Sequence, residues 1–215
     1  MAKLSCELSI SLDGFIAGPN PSEQDPLGEG GMALHQWAFK LAAWRKPHGQ
    51  EGGEVNASTE VVERALANVG AVVMGRKMFG GEQGPWAVVD PWDGWWGEDP
   101  PFHAPVFVLT NHAREPLEKD GGTTFHFVTD GIESALAQAR SAAAGGDVSL
   151  AGGADVAQQY LSAGLLDELR LNVVPVLLSG GTRLFAGGAG AGKTLEQTEV
   201  VAAPGVTHLT YRVVR

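Results

Sequence analysis

The chain has 215 residues and a formal net charge of −10, from 15 Lys and Arg against 25 Asp and Glu. This length can bury a sizeable core, and 44% hydrophobic with 19% charged residues is the balance of an ordinary soluble globular protein. The acidic balance without a basic stripe argues against nucleic-acid binding, and no apolar run approaches the ~20 residues of a membrane span. The one cysteine, Cys6, leaves no intrachain disulfide to form, and the first residues carry no long apolar run. Both features point to a reducing cytoplasm.

Residues 3–12 alternate apolar and polar, with Leu4, Cys6, Leu8, Ile10 and Leu12 on one face. That two-residue period predicts a strand in which Cys6 is a buried thiol. Asp13-Gly14 then turns the chain into Phe15-Ile16-Ala17. Residues 32–44 read as one helix, with Trp37 toward the core and His35 either on the surface or lining a pocket. Residues 58–69 form a second helix, with Ser58 as its expected N-cap, and lead directly into the short strand Ala71-Val-Val-Met74.

Residues 80–105 are a long insertion rich in Trp, Gly, Pro and Asp. Its aromatics Trp86, Trp92, Trp95 and Trp96 either wall a pocket or make an apolar plug or subunit contact, and the plug or contact is the favoured reading. Short apolar strands follow at residues 105–110 and 124–129, then an alanine-rich helix over 132–144. Another strand, 148–151, runs into Gly152-Gly153 and a helix over 154–163. The last third is β-rich: 169–178 interrupted by Pro175, then 199–202 and 207–214. Strands alternating with helices and then strands alone predict an α/β fold. Its central sheet is mostly parallel, flanked by helices, with antiparallel C-terminal strands. No linker divides the chain and no repeat appears, so residues 1–215 are expected to form a single domain.

Three strand ends could carry chemistry. Gly75-Arg76-Lys77 delivers two cations to one sheet edge of an acidic protein, where a guanidinium fork and an ammonium suit phosphate oxygens. Gly152, Gly153, Ala154 and Asp155 form a strand–glycine–helix junction. Unpaired first-turn amides and the helix dipole make such a junction a seat for pyrophosphate. Thr110 and Asn111 end a third strand with a hydroxyl and an amide that suit a ribose or a phosphate. Two phosphate signals together fit a dinucleotide better than a mononucleotide. Asp13, beside Gly14 at the end of the first strand, is the best candidate catalytic carboxylate, although aspartate–glycine is also a common turn. The histidines show no metal-ligand spacing, so no metal is expected. Gly187-Gly-Ala-Gly-Ala-Gly-Lys-Thr194 satisfies the P-loop pattern. A strand-like segment follows it where a helix is needed, so it reads as a flexible loop.

In order and spacing, these residues resemble the dihydrofolate reductase-like family, closest to the reductase domain of riboflavin biosynthesis. The matching segments are Ser11-Leu-Asp-Gly-Phe-Ile-Ala17, Val73-Met-Gly-Arg-Lys-Met-Phe79, Val108-Leu-Thr110, Gly152-Gly153 with its helix, and Asp167-Glu-Leu-Arg-Leu-Asn172 with Pro175-Val-Leu-Leu-Ser-Gly-Gly181. The resemblance implies a three-layer fold with NADPH across the strand ends. It places Arg76 and Lys77 at the 2′-phosphate, Thr110 and Asn111 at the adenosine, Gly152 to Asp155 at the pyrophosphate, and the Ala17 backbone at the nicotinamide. Dihydrofolate reductases carry an acidic residue on the first helix. Met32-Ala-Leu-His-Gln-Trp-Ala-Phe39 has none, which argues against folate.

The expectation is therefore an NADPH-dependent reductase acting on a C=N or C=O group of a small heterocyclic or sugar-bearing substrate, with Asp13 orienting it or relaying a proton. Self-association as a homodimer through the C-terminal strands is also expected. A non-catalytic dinucleotide-binding protein is the first alternative, and an ATP-using enzyme built on Lys193 the second.

Overall fold

The computed structural model describes residues 2–214, apart from Glu23, Glu82 and Ala189. Its frame is a nine-stranded sheet. In chain order the strands are β1 (Leu4–Ser11), β3 (Val69–Gly75), β4 (Pro105–Leu109), β5 (Leu117–Glu118), β6 (Thr124–Val128), β7 (Asp147–Gly152), β8 (Glu168–Val174), β10 (Thr194–Ala203) and β11 (Val206–Val214). Across the sheet the order is β10-β11-β8-β1-β7-β3-β4-β6-β5. Pairing is parallel from β8 through β6. It is antiparallel between β8 and β11, between β11 and β10, and between β6 and β5. Two short strands, β2 (Phe15–Ala17) and β9 (Thr182–Arg183), pair separately.

The helices are α1 (Gln36–Phe39), α2 (Ala42–Arg45), α3 (Ala57–Leu66), α4 (Arg76–Phe79), α5 (Ile132–Ala142) and α6 (Ala154–Ser162). On one side of the sheet, Leu4, Cys6 and Ile10 of β1 pack with Ala135, Leu136 and Ala139 of α5 and with Val156, Ala157 and Tyr160 of α6. Cys6 is fully buried there, and loss of solvent pushes its thiol pKa up to about 12, so it is inert as a nucleophile at neutral pH. Leu12, expected on the same face, lies past the strand end and is 63% exposed.

The segment expected as one helix over 32–44 is broken. A 3₁₀ turn (Gly31–His35) leads into α1, and Leu41 is extended (ψ 138°) before α2 begins. Leu41 is fully buried and bridges to Glu54, so a tertiary contact overrides a favourable helical pattern. The N-cap of α3 is Asn56, not Ser58. The Asn56 side chain accepts from the Ser58 amide at 2.9 Å, and the Asn56 amide donates to Thr59 Oγ1 at 3.0 Å. This reciprocal capping box leaves the Ser58 hydroxyl free to reach His208 Nε2 at 2.8 Å.

The Gly187–Thr194 stretch runs directly into β10, with no helix after Lys193. A P-loop needs helix amides at that point, so the ATP-binding alternative fails here.

Candidate active site

From β3 the chain steps outward to β4 and β6. It then returns to lay β7 between β1 and β3, and crosses to β8 on the far side of β1. Strand order therefore reverses around β7, and an open α/β sheet leaves a crevice at the C-terminal strand ends beside such a reversal. A cavity of about 700 Å³ occupies this place.

The cavity gathers distant segments of sequence. Ala17, Gly75, Arg76, Lys77, Thr110, Asn111, Gly153, Ala154 and Asp155 all line it. Gly152 does not, although it is joined to Gly153. A Cβ on Gly75 would meet Val156 Cγ2 at 2.7 Å, so only glycine lets the end of β3 close onto the first turn of α6. That closeness brings the Arg76-Lys77 pair beside the Gly153 junction. Lys77 Nζ donates to Asp155 Oδ2 at 2.9 Å, with both side chains largely in solvent.

Arg76 takes a different direction. Its guanidinium carbon lies 3.6 Å from the centre of the Trp86 ring, and Nη1 donates to the Gly80 carbonyl. Desolvation, with Arg114 nearby, pulls its pKa below the usual arginine value. Arg114 also lies over Trp86, at 4.9 Å, and donates to the Trp92 carbonyl. The cationic clamp thus divides: Lys77 stands at the cavity mouth, and Arg76 anchors the tryptophan-rich insertion.

At the α6 junction no side chain caps the first turn, and a Cβ built on Gly153 would meet nothing within 4 Å. Bare backbone therefore faces open space where the helix dipole is positive. Thr110 is 8% exposed, and its hydroxyl is engaged locally, accepting from the His112 amide at 3.2 Å. Asn111 beside it is exposed.

Asp13 lies outside the cavity lining. Its Oδ1 accepts from Ser11 Oγ at 2.6 Å and from the Leu178 amide at 3.2 Å, and its Oδ2 accepts from the Ser179 amide at 2.7 Å. These bonds, the Ser11 hydroxyl first, hold its carboxyl below the usual aspartate range. The carboxylate ties the β1–β2 turn to the 178–179 loop. In contrast, His35, left open in sequence between surface and pocket, lines the cavity near β1 and β2, and burial pushes its imidazole pKa down.

The tryptophans serve two purposes. Trp86, Trp92 and Trp96 pack with Val72, Met74, Phe79 and Phe125 in a second core beneath the insertion. Trp95 and Trp96 also line the cavity. The aromatic run is thus plug and wall together, where the plug or contact was favoured over the wall. The apolar anchors of the plug sit on β3, β4, α4 and β6, and no local pattern in the insertion reveals them. Among the described residues, no group of three His, Cys, Asp or Glu side chains is placed to hold a metal, and no helix is long and apolar enough to cross a membrane.

This architecture is a mixed α/β, dihydrofolate reductase-like fold, with its crevice at the parallel strand ends. The family model of the RibD C-terminal domain matches residues 2–209, and the chain belongs to that family. Among solved structures, a Shewanella sp. PV-4 protein assigned by name to riboflavin biosynthesis aligns over 100% of both chains, at 21% identity and a TM-score of 0.64. The Thermotoga maritima diaminohydroxyphosphoribosylaminopyrimidine deaminase/5-amino-6-(5-phosphoribosylamino)uracil reductase aligns with 99% of this chain and 57% of its own length, at 12% identity and a TM-score of 0.57. Dihydrofolate reductase from Enterococcus faecalis, complexed with NADP(H) and RAB-propyl, aligns over 99% and 97% at 14% identity and a TM-score of 0.51. The chain spans little more than half of the Thermotoga enzyme and of Acinetobacter baumannii RibD, 57% and 59%. No curated protein sequence matches it. Family and fold together are those of reductase domains.

Proposed function

We propose that this chain is an NADPH-dependent reductase acting on a C=N or C=O group of a small substrate. The observation that carries the reading is the convergence of Lys77, the bare Gly153–Asp155 backbone and Ala17 on one cavity of about 700 Å³. That volume lies within the range for ligand and cofactor sites.

The residues present fit a phosphorylated dinucleotide. The uncapped first turn of α6 presents backbone donors with no Cβ in the way at Gly153, which suits pyrophosphate oxygens. Lys77, tied only to an exposed carboxylate, exchanges Asp155 for a 2′-phosphate at little cost. Arg76 acts one step back, holding the insertion that walls the site. Asn111 and Thr110 border the adenosine, and the Ala17 backbone borders the nicotinamide. The bound cofactor supplies hydride. The protein orients both reactants and keeps water out with apolar surface from Leu27, Trp95 and Trp96.

Calorimetric titration tests the reading. NADPH is expected to bind at least roughly tenfold tighter than NADH, and Lys77→Ala to remove that preference with little effect on NADH. Equal affinity for the two cofactors in the unmodified protein would refute the cofactor assignment.

A further inference from the structure

The indoles of the insertion divide their work. Among the described residues, the plug on β3, β4 and β6 takes Trp86, Trp92 and Trp96 but not Trp95. Trp95 is half-buried and lines the cavity. Its place is set by backbone. A Cβ built on Gly80 would lie 2.4 Å from Trp95 Nε1 and Cε2, so only a glycine at the C-cap of α4 lets the indole settle there. Trp92 meets the same ring edge-on, with ring centres 4.6 Å apart, and Trp92 Nε1 donates to the Phe79 carbonyl at 2.8 Å. Trp95 is thus held against the C-terminal end of α4, the short helix whose first two residues are Arg76 and Lys77.

Resting on the dinucleotide reading above, we propose that Trp95 supplies a stacking face for the adenine of the cofactor, which makes the insertion part of the cofactor site. Covalent structure puts adenine beside the cations, because the ribose that carries it also carries the 2′-phosphate. Lys77 and the Gly80 seat of Trp95 are separated by about one helical turn. Strand order keeps the other flat group of the cofactor away. Across the sheet the strands run β1, β7, β3, β4, and the insertion joins β3 to β4. A nicotinamide at Ala17, just past β1, sits two strand spacings from β3, about 10 Å, and the hydride acceptor must lie against it. An adenosine bordered by Lys77 after β3 and Thr110 after β4 instead comes within reach of Trp95. An indole suits a purine, since both are flat and stack face to face with an offset. A ring already fixed by Gly80 and Trp92 also loses little freedom on binding.

The probe is 2′,5′-ADP, which carries the adenine and the 2′-phosphate without the nicotinamide, read on the full chain by calorimetry and by tryptophan emission. The unmodified protein is expected to bind it and to change its emission as the adenine covers an indole. Trp95→Ala should weaken 2′,5′-ADP and NADPH by the same factor, roughly tenfold. Trp95→Phe keeps a flat apolar face, so it should bind 2′,5′-ADP within about threefold of the unmodified protein and lose the emission change. That variant decides the outcome even if Trp95→Ala does not fold. Binding of 2′,5′-ADP with no emission change overturns the proposal, as does an emission change that persists in full in Trp95→Phe, or a folded Trp95→Ala of unaltered affinity. In each of these cases, NADPH binding by the unmodified protein leaves the cofactor reading standing. An unmodified chain that binds neither NADPH nor 2′,5′-ADP removes that reading and the adenine seat together.

Discussion

Lys77 Nζ and Asp155 Oδ2, 2.9 Å apart, close the mouth of the cavity between the end of β3 and the first turn of α6. Both side chains are well exposed, at 73% and 64%, so the pair contributes at most ~1 kcal/mol and readily gives way to a better anion. Asp155 places a negative charge in the first turn of α6, beside the uncapped amides that a pyrophosphate would use, and that charge repels such a ligand. Replacing it with the neutral amide in Asp155→Asn is therefore expected to tighten NADPH binding by roughly threefold, with the gain shrinking as salt is added. Calorimetry at low and high ionic strength decides this. Unchanged or weaker binding would mean that Asp155 does not compete with the cofactor.

Asp13 is the next residue to probe, because sequence marks it as catalytic and the structure makes it a fastener. Its carboxylate accepts bonds from Ser11, Leu178 and Ser179, and the depressed pKa follows from those bonds. The sign follows from linkage. A carboxyl whose folded pKa lies below its unfolded value stabilises the fold fully above about pH 4 and loses that contribution as pH falls through the folded value. Asp13→Asn should melt at a lower temperature than the unmodified protein at neutral pH, with the gap closing under acid conditions. A variant that melts normally and loses only kcat would instead make Asp13 a catalytic group.

Much of the site was legible because strand ends announce themselves. Val-Val-Met-Gly followed by Arg-Lys, and Ser-Leu-Ala-Gly-Gly followed by a helical pattern, each encode a buried strand, a close turn and a rim that lines the cavity. Parallel pairing then carries such rims to one edge. What local pattern does not contain is direction. Nothing near Arg76 in sequence says that its guanidinium stacks on Trp86, because that choice depends on an insertion folded over β4 and β6. Nor does the 32–44 pattern reveal the break at Leu41, which is set by pairing with Glu54. His35 lines the cavity from the 3₁₀ turn Gly31–His35, not from the single helix expected over 32–44.

The insertion has its own anchor in Lys119. The side chain is 4% exposed, and Nζ donates to Asp93 Oδ2 at 2.6 Å and Glu98 Oε1 at 3.2 Å. Burial alone would pull its pKa down, but the hydrogen bonds and charges of the two carboxylates outweigh burial and leave it raised. Because both carboxylates remain in solvent, Lys119→Met should cost only about 1 kcal/mol of global stability. Its effect should be local. Limited proteolysis is expected to cut within residues 93–98 several-fold faster, with altered tryptophan emission. Cutting at the unmodified rate would show that the aromatic plug alone holds the insertion.

A buried polar chain joins α3 to the sheet, and its imidazole is expected to make stability fall with acid. His208 is 3% exposed; its Nε2 meets Ser58 Oγ at 2.8 Å and its Nδ1 meets Asn172 Oδ1 at 2.6 Å, while Asn172 Nδ2 donates to Glu7 Oε1 at 3.0 Å. Trp37 packs edge-on against the imidazole, with ring centres 5.0 Å apart. Burial is the main reason its pKa is pushed below the ordinary histidine value; Glu199 acts weakly the other way. The unfolded chain therefore takes up a proton near pH ~6.5 that the folded chain refuses, so stability present above that pH declines as pH falls toward the folded value. His208→Gln keeps a donor and an acceptor but does not titrate. It should cost stability at neutral pH, by about 1–2 kcal/mol for an imperfectly replaced buried pair, yet flatten the fall between about pH 6.5 and 5. Urea unfolding across that range measures both terms. A variant whose stability declines with acid as steeply as the unmodified protein would assign the acid sensitivity elsewhere, with His35, a half-buried imidazole also of lowered pKa, as the next residue to replace.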